Sequence, residues 1–470
     1  MSTQSNIGAR LDRLPTSKWH YQVFWLIGLG LLVDGFDNYI GGLTLAELVK
    51  SGWSNNWWNA TFNSVTMAGL FVGSLFAGFT GDRFGRKFAY QINLLIFGLA
   101  SIAASFATSM LMLTVLRFVI GIGLGAEIVV GFATFTEFVP AKTRGKWSSS
   151  LSLVGNMAPP IATFTGYLVM PIFGWRAMFL IAGIAALILW VARHGIPESP
   201  RWYESRGNLK KADEILTKVE KDIEKQQGIK LPPVAASAAT QDVAVVQMPF
   251  THLFKGHLLK TTILGISVLI GMNTAIYSII NWIPTIFVQS GISVQKTLGL
   301  TSLMFCGAPL GVFLTSRFID RFPRKATAIT LLLSLAALAY VYSLQRTETM
   351  IVAFGFCMTV VLFMYVCFAS AVYVPELWPT AIKLRGSGFC NSIGRLFTVF
   401  TPFGVAWILS NYGSVAVFAT IAGVLVGVAI IVAFLGIETR AKSIEEIGLF
   451  ADEVSEATAA GGVRESASRA

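Results

Sequence analysis

Charge is what this sequence has least of. Of its 470 residues only 13% are Asp, Glu, Lys or Arg, about half the share of a soluble globular domain. A water-soluble globule is excluded by that deficit. Histidine is as scarce: His20, His194, His252 and His257 all lie in polar flanks. No histidine relay can therefore run through an apolar segment, and any proton path must use carboxylates. The four cysteines (Cys306, Cys357, Cys367 and Cys390) all fall inside apolar runs and form no C-x-x-C pair. That argues against a disulfide or metal framework and makes them small buried hydrophobes. No nucleophile–histidine pair, metal cluster or nucleotide-binding loop is present, which argues against an enzyme and against any cofactor.

What is abundant is apolar: 54% of residues are hydrophobic and the mean hydropathy is +0.65. Runs near 20 apolar residues recur, the length that crosses a bilayer as a helix. They do not alternate in polarity as the strands of an outer-membrane barrel would. The reading is an all-α membrane protein with twelve spans: 22–45, 62–80, 88–107, 110–132, 148–172, 176–192, 261–287, 298–315, 326–344, 350–374, 386–409 and 415–437. No cleavable signal fits, because the first span is too long and follows a polar stretch. The net charge of +11 is then a matter of placement. Lys50, Arg176, Lys296 and Arg346 fall on one side, Arg117 and Arg395 within spans, and every other basic residue on the side of both termini. By the positive-inside rule that side is cytoplasmic and the protein sits in the cell (inner) membrane. The excess base is an orientation signal facing the lipid bilayer, so a nucleic-acid partner is not expected.

The chain divides into an N-terminal six-helix bundle (1–193), a cytoplasmic linker (194–260), a C-terminal six-helix bundle (261–440) and a cytoplasmic tail (441–470) of disordered composition. Within the linker, Ala212, Ile215, Leu216, Val219 and Ile223 make one helical stripe, an amphipathic helix against the cytoplasmic face. The bundles repeat one another. Gly78-Phe-Thr-Gly-Asp82-Arg83-Phe-Gly85-Arg86-Lys87 is echoed by Ser316-Arg-Phe-Ile-Asp320-Arg321-Phe-Pro323-Arg324-Lys325. Glu137 of Glu-Phe-Val-Pro matches Glu376 of Glu-Leu-Trp-Pro, Arg144-Gly matches Arg385-Gly, and Glu198 matches Glu438. All four matches lie 238 to 241 residues apart, which makes two parallel repeats. Such repeats place a substrate site near the midplane between the halves.

These motifs resemble the major facilitator superfamily. The loop ending in Asp82-Arg83-Phe-Gly85-Arg86-Lys87 is similar to its signature loop. Arg117-x-x-x-Gly121-x-Gly123-x-Gly125 and Pro197-Glu-Ser-Pro-Arg201 are similar to the sugar-porter and organic-ion branch. Asp34-Gly-Phe-Asp37, with Gly394-Arg395, resembles the aromatic-acid:proton symporters and the related niacin and metabolite symporters. The resemblance covers nearly the whole chain. It implies a secondary transporter working by alternating access, functional as a monomer, with protons as the coupling ion.

The loop motif has a physical reading beside the resemblance. Asp82, Arg83, Arg86, Glu137, Arg144, Glu198 and Arg201, with Asp320, Glu376 and Arg385 in the second repeat, could form a charge network that shuts the inside. Simple anchors need only bases, whereas here acids recur in both repeats.

Five charges lie within spans: Asp34, Asp37, Arg117, Glu127 and Arg395. Each costs about 2.5–3.5 kcal/mol at the bilayer centre on insertion scales. Asp34 and Asp37 share a helical face, and Asp37 reaches the depth of Arg117. Two acids against one arginine favour a titrating group over a static pair, so Asp37, then Asp34, are the expected proton carriers, with Arg117 and Glu127 as partners.

Arg395 sets the sign of the substrate. It lies near midplane depth with Asn391 one turn away and Asn273, Tyr277, Asn281 and Trp282 on the seventh span. A guanidinium fork, amides and an aromatic plane suit a planar carboxylate. The alternative is that Arg395 pairs with Glu127. The expected activity is proton-coupled import of a small organic anion, aromatic or heteroaromatic. A sugar or polyol symporter is the alternative, although Gly271-Met272 stands where the sugar branch carries paired glutamines. A cation or drug exporter would want an acid in place of Arg395.

Overall fold

The structure is a computed structural model and describes residues 7–140, 143–232, 250–378 and 383–439. Among the described residues there are helices and no strands, as hydrocarbon demands: without water, each backbone N–H must find its carbonyl within the same segment. The short α1 (Ile7–Asp12) precedes α2 (Lys18–Lys50), α3 (Asn56–Phe84), α4 (Arg86–Ser105) and α5 (Met110–Phe138). Next come α6 (Arg144–Gly155), α7 (Ala158–Phe173), α8 (Arg176–Ala192), α9 (Pro200–Ser205) and α10 (Leu209–Gln227). The second half holds α11 (Gly256–Gln289), α12 (Val294–Phe305), α13 (Gly307–Phe318), α14 (Arg324–Ser343), α15 (Glu348–Cys367), α16 (Val374–Glu376) and α17 (Lys383–Leu435).

Ten of these stretches are long and apolar enough to cross a membrane. One of them, α17, breaks at Gly413 (φ 79°) and so holds two passages. The pair α6–α7 supplies the remaining one, giving twelve. Two expected spans are interrupted. The fifth breaks at Asn156–Met157, ahead of Pro159 and Pro160, which lack the N–H a continuous helix needs. The eighth breaks at Cys306, before Gly307 and Pro309. The tenth runs on from Cys367 through a π-helical turn at Phe368–Tyr373 into α16.

Packing follows the small residues. A Cβ on Gly73 would sit 2.0 Å from the Ile122 carbonyl oxygen, and one on Gly125 would sit 2.2 Å from that of Leu70. Helices α3 and α5 therefore touch backbone to backbone, the small-residue contact that replaces the hydrophobic effect in lipid. Outside the bundle, α10 buries Ala212, Leu216, Val219 and Ile223 as its sequence stripe requires. That stripe is covered by the chain's own N-terminal Ile7, Leu11 and Leu14. Arg10 clamps it there with hydrogen bonds to Glu220 Oε1 (3.1 Å) and Oε2 (2.8 Å) and an ion pair with Asp213. Arg13 adds a bond of 2.6 Å to Glu220.

The halves meet on the side away from the termini. Asn56 Nδ2 donates to Ser410 Oγ (2.9 Å), and Gln289 Nε2 donates to Asn56 Oδ1 (2.6 Å). Asn59 Nδ2 donates to Thr285 Oγ1 (3.4 Å), and Ser64 donates to the Val399 carbonyl. Gly42 lies so close to α11 that a Cβ would stand 2.9 Å from Asn281 O. On the terminal side the halves part around an opening of about 660 Å³, with Phe132, Ser148 and Ser152 on one wall and Thr315, Cys367 and Ser370 on the other.

Candidate functional site

Three buried acids and two buried arginines occupy the interior of the first half. Asp37 on α2 meets Arg117 on α5, whose Nη1 donates to Oδ2 at 2.5 Å, with both side chains no more than 1% exposed. Ser101 Oγ donates to the other Asp37 oxygen (3.4 Å), and Arg117 Nε donates to Thr66 Oγ1 (3.4 Å). The Phe62 and Phe179 rings lie 5.0 and 5.8 Å from the guanidinium. Residues of five helices, α2, α3, α4, α5 and α8, thus make up this cage.

The second pair is one the sequence did not announce. Glu127 on α5 forms a buried ion pair with Arg193, not with Arg395. Arg193 stands one residue past the end of α8 and sends its side chain inward. Its Nε donates to the Leu26 carbonyl (2.9 Å) and its Nη2 to that of Ile27 (3.2 Å). Gly30 leaves the room, since a Cβ there would overlap Nη2 at 1.7 Å. By sequence Arg193 reads as one more interfacial anchor; the length and flexibility of its stem are what let the head turn inward.

Asp34 is left over. It is 3% exposed, and neither carboxylate oxygen has a hydrogen-bond partner. It lines a cavity of about 200 Å³ between the halves, together with Asn38, Tyr39, Ser152 and Asn156 of the first half and Tyr277 of the second. Sequence reasoning missed Asn38, although it stands one turn beyond Asp34 on the same face. It also missed Asn156, at the α6–α7 break.

Of the residues expected to bind substrate, Tyr277 lines this cavity. Arg395 on α17 is half-buried, makes no ion pair among the described residues, and follows Gly394, which packs against Asn273 one turn from Tyr277 on α11. Asn391 turns its amide back to the Ser387 carbonyl (3.1 Å). Asn273 lies against Gly394, Asn281 against Gly42, and Trp282 is buried in the core of the second half.

The charged residues at the terminal end form two matching clusters. In the first, Arg86 Nε donates to Glu137 Oε1 (3.1 Å), and Glu198 accepts from the backbone N–H of Arg86 (2.9 Å) and Lys87 (3.1 Å). Burial pushes Glu198 above the usual carboxylate range against those backbone N–H groups. In the second, Arg324 donates to Glu376 (3.1 and 3.2 Å), and Glu438 accepts from the backbone N–H of Arg324 (2.8 Å) and Lys325 (3.1 Å). These bonds each close within one half. Arg83 stacks on Phe84 (5.6 Å), and Arg201 opens α9. The side chains of Asp82, Arg144, Asp320 and Arg385 lie outside the described residues. Among the described residues no group of three His, Cys, Asp or Glu could hold a metal ion.

Comparison with known proteins agrees with this architecture. The family described as "Sugar (and other) transporter" matches residues 25–449. The inner membrane metabolite transport protein YdjE of Escherichia coli (strain K12) is 48% identical, over 95% of this chain and 99% of that one. The niacin transporter NiaP of Acinetobacter baylyi is 30% identical, over 94% of this chain and 99% of that one. Among solved structures, the xylose transporter XylE of E. coli in a partially occluded inward-open conformation superposes with a TM-score of 0.71 at 18% identity. That match covers 91% of this chain and 100% of the other.

Proposed function

The chain belongs to the sugar (and other) transporter family of the major facilitator superfamily, and from that premise we propose that it is a proton-coupled symporter importing a small organic carboxylate, aromatic or heteroaromatic. The observation that carries the proton coupling is Asp34. Asp37 and Glu127 each have a guanidinium of their own, while Asp34 has none and faces the cavity. An uncompensated carboxylate in such a place is costly, and a proton removes the charge. Proton occupancy of Asp34 then depends on which side the cavity faces. Of the two acids on α2, this reading makes Asp34 the carrier and Asp37 part of a fixed brace between α2 and α5.

Arg395 supports the anion. It has no carboxylate partner among the described residues and follows Gly394, which packs on Asn273 one turn from the cavity residue Tyr277, so it is available to a substrate carboxylate as a two-toothed donor. NiaP, a niacin transporter by name, fits the same class. The terminal side, where the basic residues cluster, is taken as cytoplasmic in the inner membrane. The opening of about 660 Å³ then faces inward.

A sugar or polyol symporter is the second reading, favoured by the family's description and by the XylE likeness. Proteoliposomes separate the two. An imposed gradient, acid outside, should drive accumulation of nicotinate or benzoate and collapse with a protonophore. Accumulation of a neutral pentose or hexitol with no acid uptake would establish the second reading instead.

A further inference from the structure

The cavity carries more hydrogen-bond acceptors than a plain aromatic acid can satisfy. Asn156 Nδ2 donates to the Ser152 carbonyl at 2.8 Å. Only an amide NH₂ can face a carbonyl, so this bond fixes the orientation of the side chain and turns Oδ1 away from its own helix. The position is firmly set, because Asn156 caps α6 at the break before Pro159. Across the same space, Asn38 Oδ1 is buried without a donor, and one turn below it both Asp34 oxygens are in the same state. All three side chains line the cavity, and Tyr277 reaches it from the other half.

The amide oxygens of Asn156 and Asn38 repel a carboxylate and welcome donors. A carboxylate therefore lies toward Arg395, and the other end of the substrate meets the amides of α2 and α6. We propose that the substrate is a hydroxylated or N–H-bearing carboxylate whose donor groups are received by Asn156 and Asn38. This rests on the anion reading given above and names the class of acid within it. An acid lacking the donor would leave buried acceptors unpaired, and a site built to bond a substrate hydroxyl rejects the analogue without it.

The test is a binding panel on the purified full-length protein, made of matched sets: 4-hydroxybenzoate, benzoate and 4-hydroxybenzyl alcohol, and gluconate, hexanoate and glucitol. In at least one set the hydroxylated acid should bind about tenfold or more tighter than its unhydroxylated partner. In Asn156→Leu that ratio should fall toward one, whereas Asn156→Thr, which keeps an acceptor, should retain part of it. Because the readout is a ratio within one protein, a partial loss of folded material does not mimic it. Equal affinity for both acids of each set, or a ratio untouched by Asn156→Leu, overturns the proposal and leaves the anion reading standing. Neutral alcohols binding as tightly as the hydroxylated acids would remove the anion reading while keeping the donor contact. Binding by no member of either set overturns both.

Discussion

Asp34 and Asp37 stand one turn apart on the same helix and meet opposite surroundings. Asp37 is held by Arg117 at 2.5 Å inside a five-helix cage, and Asp34 faces a cavity with no partner on either oxygen. The sequence ranks Asp37 first as proton carrier, yet it is Asp37 that has an arginine and Asp34 that is left without one.

The first prediction follows from that division. Asp34→Asn should abolish proton-driven accumulation while substrate counterflow persists, because exchange needs no net proton movement. Asp37→Asn should instead impair both, by freeing Arg117 in a buried cage. Gradient-driven uptake at the wild-type level in Asp34→Asn proteoliposomes would refute the assignment.

Glu127 and Arg193 make a buried pair that should behave as a unit. Removing one member of such a pair costs about 3–5 kcal/mol because the other is stranded. Glu127→Gln should therefore lower the melting temperature sharply, and Glu127→Gln with Arg193→Gln should recover much of the loss. Melting curves of the two single variants and the double form the cycle. Simple additivity would mean that the pair is not coupled.

Arg395 should decide charge selectivity. A hydrogen bond to a charged group contributes ~1.5–3 kcal/mol, so Arg395→Gln should weaken carboxylate binding on the order of tenfold to a hundredfold. Arg395→Lys keeps the charge without the fork and should restore only part. Titration calorimetry with the tightest acid of the panel reads this directly, and unchanged affinity in Arg395→Gln would place the anion elsewhere.

Gly42 is where the halves close on the side away from the termini. A valine there would collide with the Asn281 backbone and should hold that side open. Since the halves rock about the site between them, the opposite mouth should then narrow. Cys367 lines that mouth and reports on it. Cys306 and Cys357 are exposed, not buried as their apolar context implied; with both replaced by serine, Gly42→Val should slow maleimide labelling of Cys367 several-fold. Labelling at the wild-type rate would show that this contact does not set the conformational balance.

The N-terminal strap should be sensitive to acid. Burial alone would raise the Glu220 carboxyl, but the Arg10 and Arg13 guanidiniums outweigh it and hold the group below its usual range. A carboxylate depressed by folding contributes its stability above the unfolded value of about 4.3 and loses it as pH falls through the folded one. Hydrogen exchange across residues 7–14, corrected for intrinsic rate, should stay slow at neutral pH and quicken only as pH falls below the usual carboxylate range. Glu220→Gln should show the fast exchange already at pH 7.

Much of this protein is legible in one dimension. Helices, their number, the repeat of the halves and the presence of intramembrane acids follow from partition into hydrocarbon and from the need of each backbone N–H for a carbonyl in its own segment. Those are properties of a segment and its solvent, so a segment's composition is enough to read them. Breaks such as Asn156–Met157 were less legible, since Pro159 and Pro160 are tolerated in many membrane helices and only neighbouring packing decides whether the helix parts. Partnership among the charges was legible only in part: Asp37 and Arg117 fall at one depth and do pair, but nothing in the sequence points Glu127 to Arg193. Glu127 meets Arg193 because α5 and α8 bring them together and Gly30 leaves a channel for the guanidinium, whereas Arg395 at similar depth belongs to the other half. Which acid is left without a base depends on the rotation of each helix about its axis and on contacts between residues tens of positions apart. Those are settled only when the bundle packs, and that is where Asp34 became the odd carboxyl beside the cavity.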